Sequence, residues 1–314
     1  MAQLVQSAGI DCGKRFLDIA VYPGGEQIRL ENEPADHQRL VVWLTERGVT
    51  RVGLEASGGY ERAVRDVLCA AGLEVHILDP ARVRHFAKAK GRRAKTDPID
   101  ARVIAEFTAT LVDTPPVTVE PVREELAKLI RTRRLLVAKR ADMAKAIKGL
   151  PDAARTAVEA ALASLATAIA ALEELIDQQT GADEALAKRV AALCSAPGIG
   201  QTTAVAMAVL LPELGRITGR ASAALLGVAP FADDSGDRKG ERHIAGGRED
   251  VRQLLYMSVL RAATQGQGVL RAFYLRLTSR GKPAKVALTA CMRNMIVRLN
   301  AMLATNQTWK EEPV

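Results

Sequence analysis

The segment Lys95-Thr96-Asp97-Pro98-Ile99-Asp100-Ala101 sets two carboxylates where chemistry could be done. Thr96 or Asp97 can cap a helix, and Pro98 suits its first turn, where a missing N–H costs nothing. Asp97 and Asp100 then leave one face of that helix together. Like charges this close raise each other's pKa unless a cation lies between them. A hard dication takes oxygen ligands, and magnesium uses only a few carboxylates while keeping several waters. Taken alone, the segment reads first as a capped helix start with a solvated acidic turn, so other carboxylates beside it must decide.

The preceding elements supply them. Residues 4–12 read as a strand carrying Asp11 near its end, Gly13 and Lys14 as a tight turn, 16–22 as a second strand, and 26–31 as a third after Pro23-Gly24-Gly25. Residues 35–47 have helical apolar spacing, 49–55 form a short strand ending on Glu55, 60–71 a helix and 73–78 another strand. The order β-β-β-α-β-α-β-α, closing with the helix that starts at Asp97, matches a ribonuclease H-like α/β fold. Singly, Asp11 is a turn former and Glu55 a helix-flanking acid. Jointly, Asp11, Glu55, Asp97 and Asp100 form a quartet suited to one or two magnesium ions. Two ions about 4 Å apart would clamp the attacking and leaving oxygens of a phosphodiester.

Between the last strand and the acidic pair runs a basic stretch over 81–95, with Arg82, Arg84, Lys88, Lys90, Arg92, Arg93 and Lys95 and no compensating acid within it. It reads either as a solvated helix face or, beside an acidic metal site, as a contact to nucleic-acid phosphates. The net charge of +8 favours a polyanionic partner. An aromatic content of 4% argues against aromatic base-stacking platforms. Cys12, Cys69, Cys194 and Cys291 are scattered without a CxxC pair, so neither a zinc site nor a disulfide framework is indicated, and a reducing cytoplasm fits. The first residues lack the pattern of a signal peptide, and no uninterrupted apolar run suggests a membrane partner.

Pro115, Pro116 and Pro121 mark a boundary, so the expected domains are 1–114, 115–189 and 190–314. In the middle domain a basic helix over 122–148 meets an alanine-rich helix over 152–179. There Val158, Leu162, Leu165, Ile169, Leu172 and Ile176 repeat in steps of four and three, a coiled-coil seam or an intrachain packing face. Ser195-Ala196-Pro197-Gly198-Ile199-Gly200 before an apolar helix over 201–211 resembles a helix-hairpin-helix, whose glycine turn can offer N–H groups to a phosphate. A polar loop over 231–242 carries Ser235 near Arg238, Lys239 and Arg242, with Arg248 beyond. By composition this is an ordinary loop serine, although such cations suit a serine that attacks phosphorus. Helices over 250–263 and 284–304 complete a mostly α C-terminal domain.

With GIDCGK at 9–14, GLEASGGYE at 53–61, AKTDPIDA at 94–101, SAPGIG at 195–200 and DDSGDRKGERHIAGGREDVRQLLY at 233–256, the chain resembles the DEDD-type insertion-sequence transposases, the bridge-RNA-guided recombinases related to pilin-gene invertases. The resemblance spans nearly the whole chain. It implies a RuvC-like N-terminal domain binding magnesium through Asp11, Glu55, Asp97 and Asp100. It also implies a C-terminal transposase domain whose serine nucleophile is Ser235. The serine of one subunit would reach the acids of another in a dimer or tetramer, the coiled coil would join subunits, and basic surfaces would hold a guide RNA with donor and target DNA duplexes. Three other readings compete: a RuvC-like Holliday-junction nuclease using metal-activated water, an actin-like kinase suggested by the opening GIDCGKRFLDIAVY, and an RNA-binding protein with a decayed site. The kinase reading lacks a second phosphate loop, and the decayed-site reading sits poorly with four intact acids and the serine.

Overall fold

The computed structural model describes residues 6–91, 97–111, 116–231, 234–235, 238–240 and 242–310. The chain divides into two compact units, Met1–Glu120 and Pro121–Val314.

In the first unit, strands β1 (Ser7–Cys12), β2 (Phe16–Tyr22), β3 (Gln27–Glu31), β4 (Arg51–Glu55) and β5 (Glu74–Leu78) form one sheet in the order β3-β2-β1-β4-β5. The β1–β2 and β2–β3 pairs are antiparallel, whereas β1–β4 and β4–β5 are parallel. Tight turns suffice for the first two connections. The parallel ones need helical crossovers, supplied by α1 (Pro34–Glu46) and α2 (Arg62–Ala70). This is the ribonuclease H-like arrangement expected from the strand order. One helix goes beyond that expectation: the basic stretch folds into α3 (Pro80–Ala89), capped by Asp79, which accepts from the Ala81 N–H at 2.8 Å. The helix α4 (Asp97–Leu111) follows.

The two faces of the sheet have different covers. Ala8, Ile10 and Cys12 of β1 alternate with Ser7, Gly9 and Asp11, as period two demands. The apolar set joins a core with Leu40, Leu44, Val64 and Leu68 of α1 and α2. The other set faces α4, whose Ala101, Ala105 and Thr108 are fully buried or nearly so. A methyl group on Gly9 would overlap the Ala105 nitrogen and the Ala101 carbonyl, and one on Gly53 would overlap the Thr108 hydroxyl. Ser7 Oγ donates to the Ala105 carbonyl at 3.0 Å. Glycines at these strand positions thus admit the helix at backbone distance.

The second unit is helical: α5 (Pro121–Ala146), α6 (Asp152–Ala182), α7 (Glu184–Cys194), α8 (Gln201–Leu210), α9 (Gly219–Leu226), α10 (Glu249–Thr264), α11 (Val269–Ser279) and α12 (Ala284–Ala304). α11 falls between the two C-terminal helices read from the sequence. α5 and α6 lie antiparallel, tied by Arg133 Nε to Glu173 at 2.8 Å and by Gln179 to Glu125 at 3.2 Å. On the repeat of α6, Ile169 and Ile176 are buried while Val158, Leu162, Leu165 and Leu172 are half-buried. By length and composition α6 could also cross a membrane, with mean hydropathy 1.4 over 18 residues, although its apolar residues form no uninterrupted run of that length. The core of the unit gathers α8, which is buried along almost its whole length, with α7, α9, α10 and α12.

Replacing Gly9 by alanine should destabilise the protein by about 1–3 kcal/mol, the usual cost of overpacking. A urea melt would show it. Gly24→Ala, with nothing within 4 Å of the added methyl, should leave the midpoint nearly unchanged.

Candidate functional site

Asp11 and Glu55 occupy equivalent places on neighbouring parallel strands. The register pairs Ile10 with Leu54, so the next residues, Asp11 and Glu55, stand side by side at the C-terminal ends of β1 and β4. Both share the face of Gly9 and Gly53, under α4. The helix runs opposite to β1, since Ala105 lies over Ser7 while Ala101 lies over Gly9. Its first turn, with Asp97 and Asp100, is therefore carried toward the end of β1 that holds Asp11. Asp100 is half-buried; the side chain of Asp97 lies outside the described part. The Cys12 thiol is pushed up, first by burial and then by the negative charges of Asp11, Glu61 and Glu55. Among the described residues, no three His, Cys, Asp or Glu side chains stand in metal-binding geometry. The donor set gathered here, carboxylate oxygens only, still suits a hard dication.

Two hydrogen-bonded loops hold these strand ends. Asn32 Nδ2 donates to the Gly13 carbonyl at 2.9 Å and to the Tyr60 carbonyl at 3.0 Å, joining the turn after Asp11 to the loop after Glu55. Its Oδ1 lies 2.7 Å from Nε2 of buried His37, which fixes the amide's orientation, and its backbone N–H donates to the Arg15 carbonyl at 2.9 Å. In the second loop, the Glu61 carboxylate accepts from Ser57 N–H, Ser57 Oγ and Gly59 N–H at 3.1, 2.9 and 2.9 Å. Burial opposes ionisation of Glu61, but these hydrogen bonds outweigh it and hold the carboxyl below its usual range.

Beside Asp11 opens a groove of about 280 Å³ lined by Lys14, Arg15, Phe16, Asp18 and Arg29. Arg29 is committed to Asp18 through two contacts of 2.8 Å, whereas Lys14 and Arg15 are exposed. Reading Lys14 only as a turn residue missed these cations; their position directly after a strand-end acid was the available signal.

The expected basic contacts divide. On α3, Arg82, Arg84, Lys88 and Lys90 are exposed. Arg82 lies over the Phe107 ring at 5.5 Å, and Arg84 Nε donates to the Pro80 carbonyl at 3.1 Å. Lys90 forms an ion pair with Glu106 of α4, so this lysine does have a compensating acid, supplied from outside the run. Arg92, Arg93 and Lys95 lie outside the described residues.

In the second unit the polar loop is a ribbon of two short pairs, β6 (Pro230–Phe231) with β9 (His243–Ile244) and β7 (Asp234–Ser235) with β8 (Arg238–Lys239). Ser235 stands opposite Arg238 at the tip. The side chains of Ser235, Arg238 and Lys239 lie outside the described part; Arg242 is exposed. The base of the ribbon is locked. A methyl on Gly247 would overlap the Gly227 nitrogen, and Arg252 donates to the Gly246 carbonyl at 2.5 Å. Arg248 is held bidentately by Glu213 at 2.7 and 2.5 Å and also donates to the Leu210 carbonyl at 2.7 Å. That commitment makes Arg248 an anchor of α10. The turn between α7 and α8 is packed too, because a methyl on Gly198 would lie 2.5 Å from the Ser258 carbonyl.

A model of DEDD transposases of the IS110 type matches residues 8–153, and one described as transposase IS116/IS110/IS902 family matches residues 190–275. Pilin gene-inverting proteins of Moraxella lacunata and Moraxella bovis are each 22% identical over 314 residues, covering 95% of this chain and 96% of theirs. A solved T. thermophilus RuvC in complex with Holliday junction substrate is 20% identical, covering 36% of this chain and 99% of that one with a TM-score of 0.30.

Asn32→Ala should cost about 1 kcal/mol by removing the donor shared by two loops, read as a shifted urea midpoint. Glu61 gives a pH test. Because its folded pKa is lowered, its stabilisation is complete above the unfolded value of about 4.3 and is lost as pH falls through the folded one. An acid-unfolding titration of Glu61→Gln should therefore be shallower than that of the wild type below about pH 4.3.

Proposed function

The chain belongs to the IS116/IS110/IS902 family of transposases, enzymes that recombine DNA, and from that premise we propose that it cuts and rejoins DNA strands through a covalent bond to Ser235, which reaches the metal-binding Asp11, Glu55, Asp97 and Asp100 of another subunit. The observation that carries the acid assignment is the β1–β4 register together with α4 seated on Gly9 and Gly53. It sets two strand-end carboxylates side by side and brings the turn of Asp97 and Asp100 toward them. Magnesium bound there would neutralise phosphoryl oxygens and orient the ester.

The chain's own groups do the rest. Ser235 Oγ gives up its proton and forms a bond to phosphorus. The bond from phosphorus to one deoxyribose oxygen breaks, and that oxygen takes a proton to leave as an alcohol. The phosphoserine keeps the ester's energy, and a hydroxyl of another strand reverses the step. Arg238, paired across the ribbon from Ser235, with Lys239 and Arg242, offsets the added charge at phosphorus. Arg82, Arg84, Lys88, Arg92, Arg93 and Lys95, with Lys14 and Arg15, bind backbone phosphates. A noncoding guide RNA selects donor and target duplexes by pairing, and the α5–α6 pair joins subunits as a coiled coil.

The test uses end-labelled donor DNA with magnesium and transcript from the flanking noncoding sequence, separated under denaturing conditions. Wild type should give a protein–DNA adduct. Ser235→Ala should lose adduct and strand exchange by at least about a thousandfold, and Asp11→Asn likewise, with both proteins still binding DNA. Strand exchange by Ser235→Ala, or cleavage to free ends without attached protein, would replace the covalent mechanism with attack by water.

A further inference from the structure

Between the base of the serine ribbon and α12 lies a cleft of about 320 Å³. One wall is Arg242, His243 and Ile244 of the ribbon's return strand, with Val228 and Pro230 before it. The other is a single face of α12. Lys285, Thr289 and Arg293 stand at successive intervals of four, so they form one stripe. Val286 and Ala290 form the stripe beside it.

The charges of this cleft are distinctive. Arg242, His243, Lys285 and Arg293 all reach it, and no acid among the described residues lines it. Several other arginines of the unit are paired, among them Arg248 with Glu213, Arg133 with Glu173 and Arg134 with Asp250. None of the four has an ion pair or side-chain hydrogen bond among the described residues. The apolar wall is open as well, with Ile244 42% and Val286 52% exposed. A concave surface where Arg242, Lys285 and Arg293 have no acid partner among the described residues, set against exposed aliphatic groups, matches a ligand that alternates anionic and apolar parts. A nucleic-acid strand is such a ligand, with phosphates for the cations and a sugar or unstacked base for Val286 and Ile244.

The ribbon gives the cleft a direction. Arg242, His243 and Ile244 come a few residues after the strand pair that carries Ser235, so this wall of the cleft is close in the chain to the serine. We infer that this cleft is a subsite for the DNA strand that Ser235 cuts, gripping a phosphate adjacent to the scissile one through Lys285 and Arg293 while Val286 and Ile244 support the neighbouring sugar or base. The inference rests on the reading of Ser235 above and adds Lys285, Val286 and Arg293 of α12, which lie outside the sequence motifs.

The experiment measures binding of fluorescent single-stranded and duplex DNA to the full chain by anisotropy across a salt series, with an RNA strand of the same sequence in parallel. Lys285→Gln/Arg293→Gln should weaken DNA binding about tenfold or more. It should also lower the slope of log K against log salt by about 2, one for each phosphate that is no longer neutralised. Lys285→Arg/Arg293→Lys, which keeps both charges, should retain wild-type binding, and thermal melts of both doubles should match the wild type. Val286→Asp should weaken binding without the loss of a cation. Unchanged affinity and slope in the Gln double would overturn the subsite, and so would loss confined to the RNA strand. Failure of the serine reading would look different: wild type would form no adduct, yet the Gln double would still lose DNA.

Discussion

The arrangement of the first unit depends on one steric fact, that α4 touches the sheet backbone to backbone. A helix on a sheet ordinarily rides on a layer of side chains. At Gly9 and Gly53 that layer is missing, and Ala101, Ala105 and Thr108 of α4 fit into the space. This close seat fixes both the height of α4 and its position along the strands. The Ser7 hydroxyl, donating to the Ala105 carbonyl, pins the far end. An interhelical or helix–sheet contact made by large side chains tolerates shifts by changing rotamers; a contact of backbone on backbone does not. The placement of acids borne on a helix relative to acids borne on strands therefore follows from two residues that carry no chemistry themselves.

Concentrating carboxylates at one sheet edge has an electrostatic cost, which the Cys12 thiol registers, being pushed up by Asp11, Glu61 and Glu55 as well as by burial. The surroundings separate the acids into two kinds. Glu61 is satisfied by three donors from its own loop and serves as a brace. Asp11 and Glu55 end strands at the open edge, with Lys14 and Arg15 close in sequence to the first. Asn32 joins the two loops without adding charge, through a neutral amide with both its donor hydrogens and its acceptor used. Loops built from neutral or already satisfied groups add no further uncompensated charge beside the strand ends.

Much of this was legible in the sequence because it is local. Strand-end acids follow from period-two alternation broken by a turn, and the start of α4 at Asp97 follows from the proline beside it. The structure adds what depends on distant partners. Lys90 seemed uncompensated because Glu106 comes from the next helix, and Arg248 seemed free because Glu213 lies well upstream. The glycines in β1 and β4 were visible, and an isolated glycine in a strand does signal close backbone approach, but nothing local says which helix approaches. The ribbon around Ser235 read as a loop because its strands are two residues each, too short for any periodicity.

The second unit solves its positioning problem by the same physical means. Ser235 pairs with Arg238 in a ribbon whose strands are two residues each, so its direction is set at the base. There Gly247 lies against Gly227 with no room for a side chain, and Arg252 closes the contact on the Gly246 carbonyl. Arg248, one residue on, ties the start of α10 to Glu213 and to the end of α8, the most buried helix of the unit. Glu213 is held ionised for this: burial works against its charge, and the Arg248 guanidinium more than offsets it, keeping the carboxyl below its usual range. The glycines and arginines that follow the serine in sequence are thus mechanical parts. They tie the base of the ribbon to the buried core of the unit.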